Sequence, residues 1–364
     1  NNEISPKKFE EAHYVMKHPS QMFNMTSNLV PFMHSTQGNR AGMATRHMEQ
    51  SISLLHREAP LVQVATGVDH PSADTFEKVV GYQAAHSTPV SGVVTKIDKG
   101  GITIKHDSGT HEVQTYHNYP LNDAKSVLHS EPLVKVGDKV KAGQVIADTN
   151  FSKNGALALG TNLRVAYIPF KGYNFEDGVV ISESAAKKLS SVHMYKPSIS
   201  NKGMVFDKKK FMNQHQGVFK ASQLDHIEED GLPRVGARIK PGDPLLLAMK
   251  PFDAKDRMGV EAMRKSLSGM HTDKSMVWDG ETEGEVVDVV RKKDKVEVHV
   301  KAIEPMQVGD KMAGRYGNKG IITTVLPDSQ MPHTKDGKRM EVLLNPSGVP
   351  GRLNPAQVLE VAAS

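Results

Sequence analysis

The residues most able to do chemistry lie in Val308–Gly320. Four glycines and three cations, Lys311, Arg315 and Lys319, share these thirteen positions. Glycines let the backbone approach a ligand closely, and clustered cations focus positive field on one small volume. A phosphate-rich substrate or an RNA end needs that combination. The stretch is not a nucleotide-triphosphatase phosphate loop, because Gly314 to Gly317 is too short and no Lys-Ser/Thr pair follows. The alternative is a solvated glycine-rich turn whose lysines face water. A second segment, Lys171–Gly178, carries the adjacent carboxylates Glu176 and Asp177 on a loop. Such a pair can touch a hydrated Mg²⁺, which takes one or two carboxylates plus water and phosphate. Most Glu-Asp pairs are ordinary surface charge. In a third segment, Asn345–Pro355, Arg352 precedes a helix N-terminus, where free N–H groups and the dipole favour an anion. Arg40 stands similarly at the start of a helix expected over 39–57. A cation beside that dipole is unfavourable until an anion arrives, so both placements point to ligand contact. A plain surface arginine is the alternative for each.

The elements that must position these groups follow from pattern. Residues 1–38 are polar and broken by Pro6, Pro19 and Pro31. Between Asn39 and Arg57, Met43, Met48, Ile52 and Leu55 form a loose helical stripe that Pro60 ends. Alternating apolar residues over Val93–Ile97 and Ile102–Ile104, joined by Asp98-Lys99-Gly100-Gly101, predict a hairpin. Val179–Ile181 predicts a strand, with Ser182 capping a helix through Leu189. A basic, methionine-rich region follows over 196–283, and Glu285–Val290 pairs with Val296–Val300. Asn354 and Pro355 are read as N-cap and first position of a helix over Ala356–Ala363. Val136–Ala147 and Val235–Leu246 share the pattern Val-Gly-x-x-Val/Ile-Lys-x-Gly, whose glycines suit positive-φ turns between short strands. The second copy runs into Ala248-Met249-Lys250, similar to the modified-lysine hairpin of a biotin carrier, although a structural hairpin is preferred.

Composition narrows the function classes. The chain has 364 residues, a net charge of +5 and no cysteine, which excludes disulfides, thiolate metal sites and a cysteine nucleophile. At 5% aromatic, base stacking cannot dominate any nucleic-acid contact. No apolar run approaches a membrane span and no signal-peptide pattern opens the chain, so a cytoplasmic protein without membrane partners is expected. Because the chain opens on Asn1 rather than Met, a cut or incomplete N-terminus is expected. The 17 histidines show no ligand spacing, and no serine-hydrolase elbow appears. Lys196–Lys220 holds six lysines and one acid, Asp207, and reads as a solvated face.

Taken together and in order, these segments resemble the β subunit of multisubunit DNA-dependent RNA polymerase. Asn28–His34 followed by Asn39-Arg40-Ala41 resembles the start of the family's hybrid-binding region. Ala156–Asp177 resembles its most distinctive stretch, and Gly309–Gly320 and Leu344–Glu360 match two further blocks. Residues 19–195 and 284–360 carry the likeness well, and 196–283 only in position. The resemblance implies a mainly β fold with short helices (α+β), in which a double-psi β-barrel hybrid-binding core is interrupted by a β-rich flap. The implied divisions are an entry segment over 1–70, the first barrel part over 71–195, the flap over 196–283 and the second barrel part over 284–364. The barrel would combine strands from roughly 130–190 with strands from 300–345.

The implied function is template-directed RNA synthesis within an assembly. The family residues matching Lys311 and Lys319 contact the RNA 3′ end and nucleotide phosphates, and those matching Arg40 and Arg352 hold the incoming triphosphate. Those matching Glu176 and Asp177 lie beside the second Mg²⁺, partly through water. The primary Mg²⁺ ligands belong to the β′ subunit's Asp-x-Asp-x-Asp loop, which this sequence lacks, so the chain is expected to be inert alone. Implied partners are a β′-like subunit, other β portions if the subunit is split, template DNA, the RNA–DNA hybrid, nucleoside triphosphates and a promoter-specificity factor at the flap. The short flap, Tyr316 in place of a usual histidine, and the departure from the family's pattern around Asn122–Ser130 imply a divergent, phage-type split subunit in a bacterial host's cytoplasm. A non-catalytic barrel scaffold is the competing reading, which would not require all six charged candidates.

Overall fold

A computed structural model describes residues 6, 8–16, 19–70, 73–121, 125–251 and 270–364. Residue 1, residues 122–124 of the segment that departs from the family, and 252–269 of the expected flap lie outside them. The chain is mainly β with short helices. Its central feature is a five-stranded mixed sheet built from two distant stretches of sequence. The spatial order is Val165–Tyr167, Val342–Leu344, Gly178–Ser182, Lys319–Leu326, Lys311–Ala313. Gly178–Ser182 runs parallel to Lys319–Leu326 and antiparallel to Val342–Leu344, so it is buried on both sides. A parallel neighbour requires a long crossover, and here the crossover is the whole intervening chain. Behind the sheet, Val179, Ile181, Ile322 and Val342 pack against Ala185 and Ala186 of the Glu183–Lys188 helix. Ser182 Oγ caps that helix by accepting from Ala185 N–H at 3.1 Å, as expected from sequence.

Both expected hairpins form. Gly92–Ile97 pairs antiparallel with Gly101–His106, and their four-stranded sheet closes over Val94, Ile102, Ile104 and Ile146. Gly284–Arg291 pairs with the long strand Lys295–Glu304. That hairpin shares its core, centred on the fully buried Trp278, with Ile239, Leu245 and Leu246. Among the described residues the sheets are open, and none closes into a barrel.

The Val-Gly repeat is one turn used three times. Gly137, Gly236 and Gly309 have φ of +98°, +85° and +97°. Each donates its N–H to a neighbouring strand, to Val94, Val286 and Ile322 carbonyls at 2.8, 2.7 and 2.8 Å. The left-handed φ is what glycine supplies at low cost, and a short strand follows each turn. The third copy launches Lys311–Ala313. Lys250 lies in the strand Met249–Pro251, which pairs with His271–Asp273 rather than forming a carrier's tight hairpin.

Three expectations are corrected. The first helix spans Gly38–Glu49, not 39–57. Ser51 Oγ bonds back to the Met48 carbonyl at 2.9 Å, and Leu54 bridges to Ser191 as extended chain. Met43, Ile52 and Leu55 of the expected stripe are exposed, whereas Ala44 and Thr45 are buried. Asn354 does not cap the Ala356–Ala363 helix, whose N-cap position is Pro355. Lys208 is not simply solvated: its Nζ donates to the Leu224 and Ile227 carbonyls at 2.7 and 2.8 Å.

Candidate functional site

The loop Gly314–Asn318 joins two short strands and aims the lysines at their ends. Lys311–Ala313 and Lys319–Leu326 are antiparallel, with Ala313 opposite Lys319 and Lys311 opposite Ile321. Opposed residues project to one face, so Lys311, Lys319 and Ile321 share the exposed face while Met312 turns inward. Three anchors fix the loop. Tyr316 is buried between Val30, Ala44 of the Gly38–Glu49 helix and Ala356 of the C-terminal helix. Burial pushes its phenol above the ordinary range, which keeps the ring neutral. The Tyr316 carbonyl accepts from Asn354 Nδ2 at 2.7 Å, the actual work of the residue expected to be a cap. Arg315 donates to Glu77 at 3.2 Å, to the Val62 carbonyl at 2.8 Å, and to Glu360. Glu77 is 1% exposed, and burial raises its carboxyl above the usual range despite the Val64 N–H at 2.9 Å and the nearby guanidinium.

The acidic pair is held just as closely. Asn174 is buried, accepts from the Phe170 N–H at 2.9 Å and donates to the Ile168 carbonyl at 2.7 Å, closing the loop over Lys171–Asp177. Glu176 sits at φ +51°, a left-handed conformation uncommon for a residue with a side chain. Asp177 O accepts from Ile321 N–H at 3.0 Å, so the acidic loop and the lysine strand are stitched directly. A Cβ at Gly320 would lie 2.4 Å from that same Asp177 oxygen. Glycine there permits the approach.

Five of the six candidates, Glu176, Asp177, Lys311, Lys319 and Arg352, line one cavity of about 1080 Å³. Arg352 and Asp177 form an ion pair across it. Arg40 does not line the cavity: its Nη1 donates to the Gly317 carbonyl at 3.1 Å, behind the loop. It is nevertheless close enough that its charge, after burial and Lys319, helps hold His47 below the usual histidine range. His47 lines the cavity too, and so does Tyr167, whose phenol burial pushes up to about 12. Sequence reasoning missed His47, Glu77 and Asn354 as site-building residues. Only His47 carried a signal, its position seven residues after Arg40 on a helix.

Among the described residues, no group of three or more His, Asp or Glu side chains could hold a metal ion by itself. Two loop carboxylates, one already paired with an arginine, suit outer contact with a hydrated Mg²⁺ rather than a closed cage. Anion recognition is what the remaining groups offer, with two lysines and an arginine facing one space.

Residues 87–364 match the family model described as RNA polymerase Rpb2, domain 6, and five of the six candidates fall within them. The chain belongs to that family. Similar curated proteins are each named DNA-directed RNA polymerase subunit beta. The Thermosynechococcus vestitus protein is 34% identical, with the match covering 96% of this chain and 32% of the relative. Those of Prochlorococcus marinus and Synechococcus elongatus are each 33% identical, covering 96% of this chain and 33% of the relative. The chain therefore spans about a third of the length of the curated relatives it matches. The Rpb2 domain 6 match covers the central sheet, both lysines and the acidic loop; Arg40 precedes it.

Proposed function

We propose that this chain is the part of a multisubunit DNA-dependent RNA polymerase β subunit that grips the RNA 3′ end and the phosphates of the incoming nucleoside triphosphate. The observation that carries the reading is the convergence of Lys311, Lys319, Glu176, Asp177 and Arg352 on one cavity. Phosphoryl transfer asks mostly for positioning and charge stabilisation. Lys311 and Lys319, on one face of two paired strands, would neutralise phosphate charge where it develops. Arg352, a planar fork, would take the triphosphate in place of Asp177, with Arg40 supporting the motif loop from behind. Asp177 and Glu176 would then face a hydrated Mg²⁺ on the phosphates. When bound, Mg²⁺ supplies charge neutralisation and orientation for in-line attack.

The primary metal ligands would come from a β′-like partner, which makes the chain inactive alone. Template DNA and the RNA–DNA hybrid would lie along the exposed lysine face, a promoter-specificity factor at 196–283 is a further proposed partner, and the setting is the cytoplasm. A double-psi arrangement of the core is supported by the parallel pairing of Gly178–Ser182 with Lys319–Leu326. The test is an assembled polymerase carrying Lys319→Ala. It should assemble normally and extend RNA roughly 10²-fold more slowly, the usual loss for a donor to developing charge. A wild-type extension rate overturns the role of Lys319, and a wild-type assembly that extends no RNA overturns the polymerase reading.

A further inference from the structure

Arg40, Met43 and His47 are spaced three and four apart on the Gly38–Glu49 helix and so share one stripe. Arg40 Nη1 lies 3.6 Å from Met43 Sδ, which confirms the shared face. One turn further on, the His47 ring lines the cavity that also holds Lys319 and Arg352. Its Nδ1 is buried without a hydrogen-bond partner, which leaves Nε2 as the nitrogen a cavity ligand can reach. The position is costly for packing alone, since a buried polar atom without a partner is worse than an apolar side chain of the same shape. The helix C-terminus would favour a cation here. Burial and the charges of Lys319 and Arg40 outweigh it and hold the imidazole below its usual range. The ring is thus a neutral group set among cations, beside a cavity suited to an anion. A bound polyphosphate would give it an acceptor and offset both repelling charges.

Resting on the reading above, we propose that His47 is a further substrate-binding residue, which donates from its ring to the phosphates of the incoming nucleoside triphosphate beside Lys319. The choice of triphosphate over the RNA end follows from the cavity the ring shares with Arg352, the residue that takes the triphosphate in that reading.

The experiment uses the full polymerase assembly containing this chain, on a fixed template and RNA primer, with ATP titrated in single-nucleotide extension. His47→Ala and His47→Phe should each raise KM for ATP roughly tenfold with kcat within about twofold, the loss expected for a hydrogen bond to a charged group. His47→Gln, which keeps a donor, should stay within about threefold of wild type. An unchanged KM in His47→Ala overturns the proposal, as does recovery in His47→Phe, which would assign the residue to packing. A rise in the primer concentration required, with KM for ATP unchanged, would assign the ring to RNA and likewise overturn it. Each of these outcomes leaves the polymerase reading standing. A wild-type assembly that extends no RNA removes both.

Discussion

Replacing Gly317 by alanine separates the site's geometry from its stability. Gly317 has φ +71°, and a Cβ there would lie 2.4 Å from the Arg40 carbonyl oxygen and 3.0 Å from Arg40 C and Cα. Ordinary contact begins near 3.4 Å, so the motif loop and the helix that carries Arg40 must part by about 1 Å. The left-handed φ adds about 1 kcal/mol for a residue with a side chain. Both neighbours are backbone, so no side chain can swing away to relieve the contact. The Arg40 Nη1 bond to the Gly317 carbonyl, 3.1 Å long, would be strained at the same time. Lys319 starts two residues later and moves with the loop. A 1 Å misplacement of a positioning group costs on the order of 10²-fold in rate. Single-nucleotide extension by the assembled polymerase should therefore show Gly317→Ala with kcat/KM down by about that factor. Gly309→Ala is the control. Its φ is +97°, but nothing lies within 4 Å of the added Cβ. It should lose about 1 kcal/mol of stability and keep kcat/KM within about twofold. Wild-type kcat/KM in Gly317→Ala, or an equal loss in Gly309→Ala, would refute the argument that backbone contact aims the lysines.

Two other perturbations test the supports. Asn354→Ala removes the buried donor to the Tyr316 carbonyl and should cost about 1–3 kcal/mol in urea unfolding, whereas a loss expected of a mere helix cap would restore with Ser at 354. If Asn354→Ser recovers full stability, the tie to Tyr316 is not what matters. Glu297 accepts from Lys292 and Lys295, which hold its carboxyl down at about 2 against an ordinary 4.5. A depressed carboxyl stabilises the fold fully above pH 4.5, and that contribution fades as the pH falls towards 2. The lysine partners are 48% and 40% exposed, so solvent screening leaves about 1 kcal/mol of the nominal effect. Glu297→Gln should flatten the stability profile between pH 4.5 and 2 by that amount, and an unchanged slope would count against the ion pairs.

Local pattern carried much of the fold. The hairpins at Gly92–His106 and Gly284–Glu304 and the Ser182 cap all follow from alternation and turn chemistry acting within a few residues. The first helix was overextended because Ile52 and Leu55 keep a helical spacing that the chain does not use; the backbone turns extended where Leu54 finds Ser191. No rule of spacing reaches that far. Asn354 shows the same limit from the other side. Its place before Pro355 is cap-like, but a buried carbonyl 38 residues away claims its amide. At the site, the charged candidates stood out by type and setting, and five of them meet in one cavity. What joins them was hidden, because Arg315, Glu77 and Glu360 act as partners only once three distant segments are packed.

Under the proposed function, the ion pair between Arg352 and Asp177 would bear on turnover. A site of uncompensated cations would hold any polyanion tightly, and under the proposed function that would include the pyrophosphate product. Here one of the cations already has a resident carboxylate, so ligand entry is an exchange of partners and ligand exit is the reverse exchange. Binding the ground state would gain less, and the product would meet a competitor tethered at high local concentration. Under the proposed function, such a cavity would let go as readily as it takes hold.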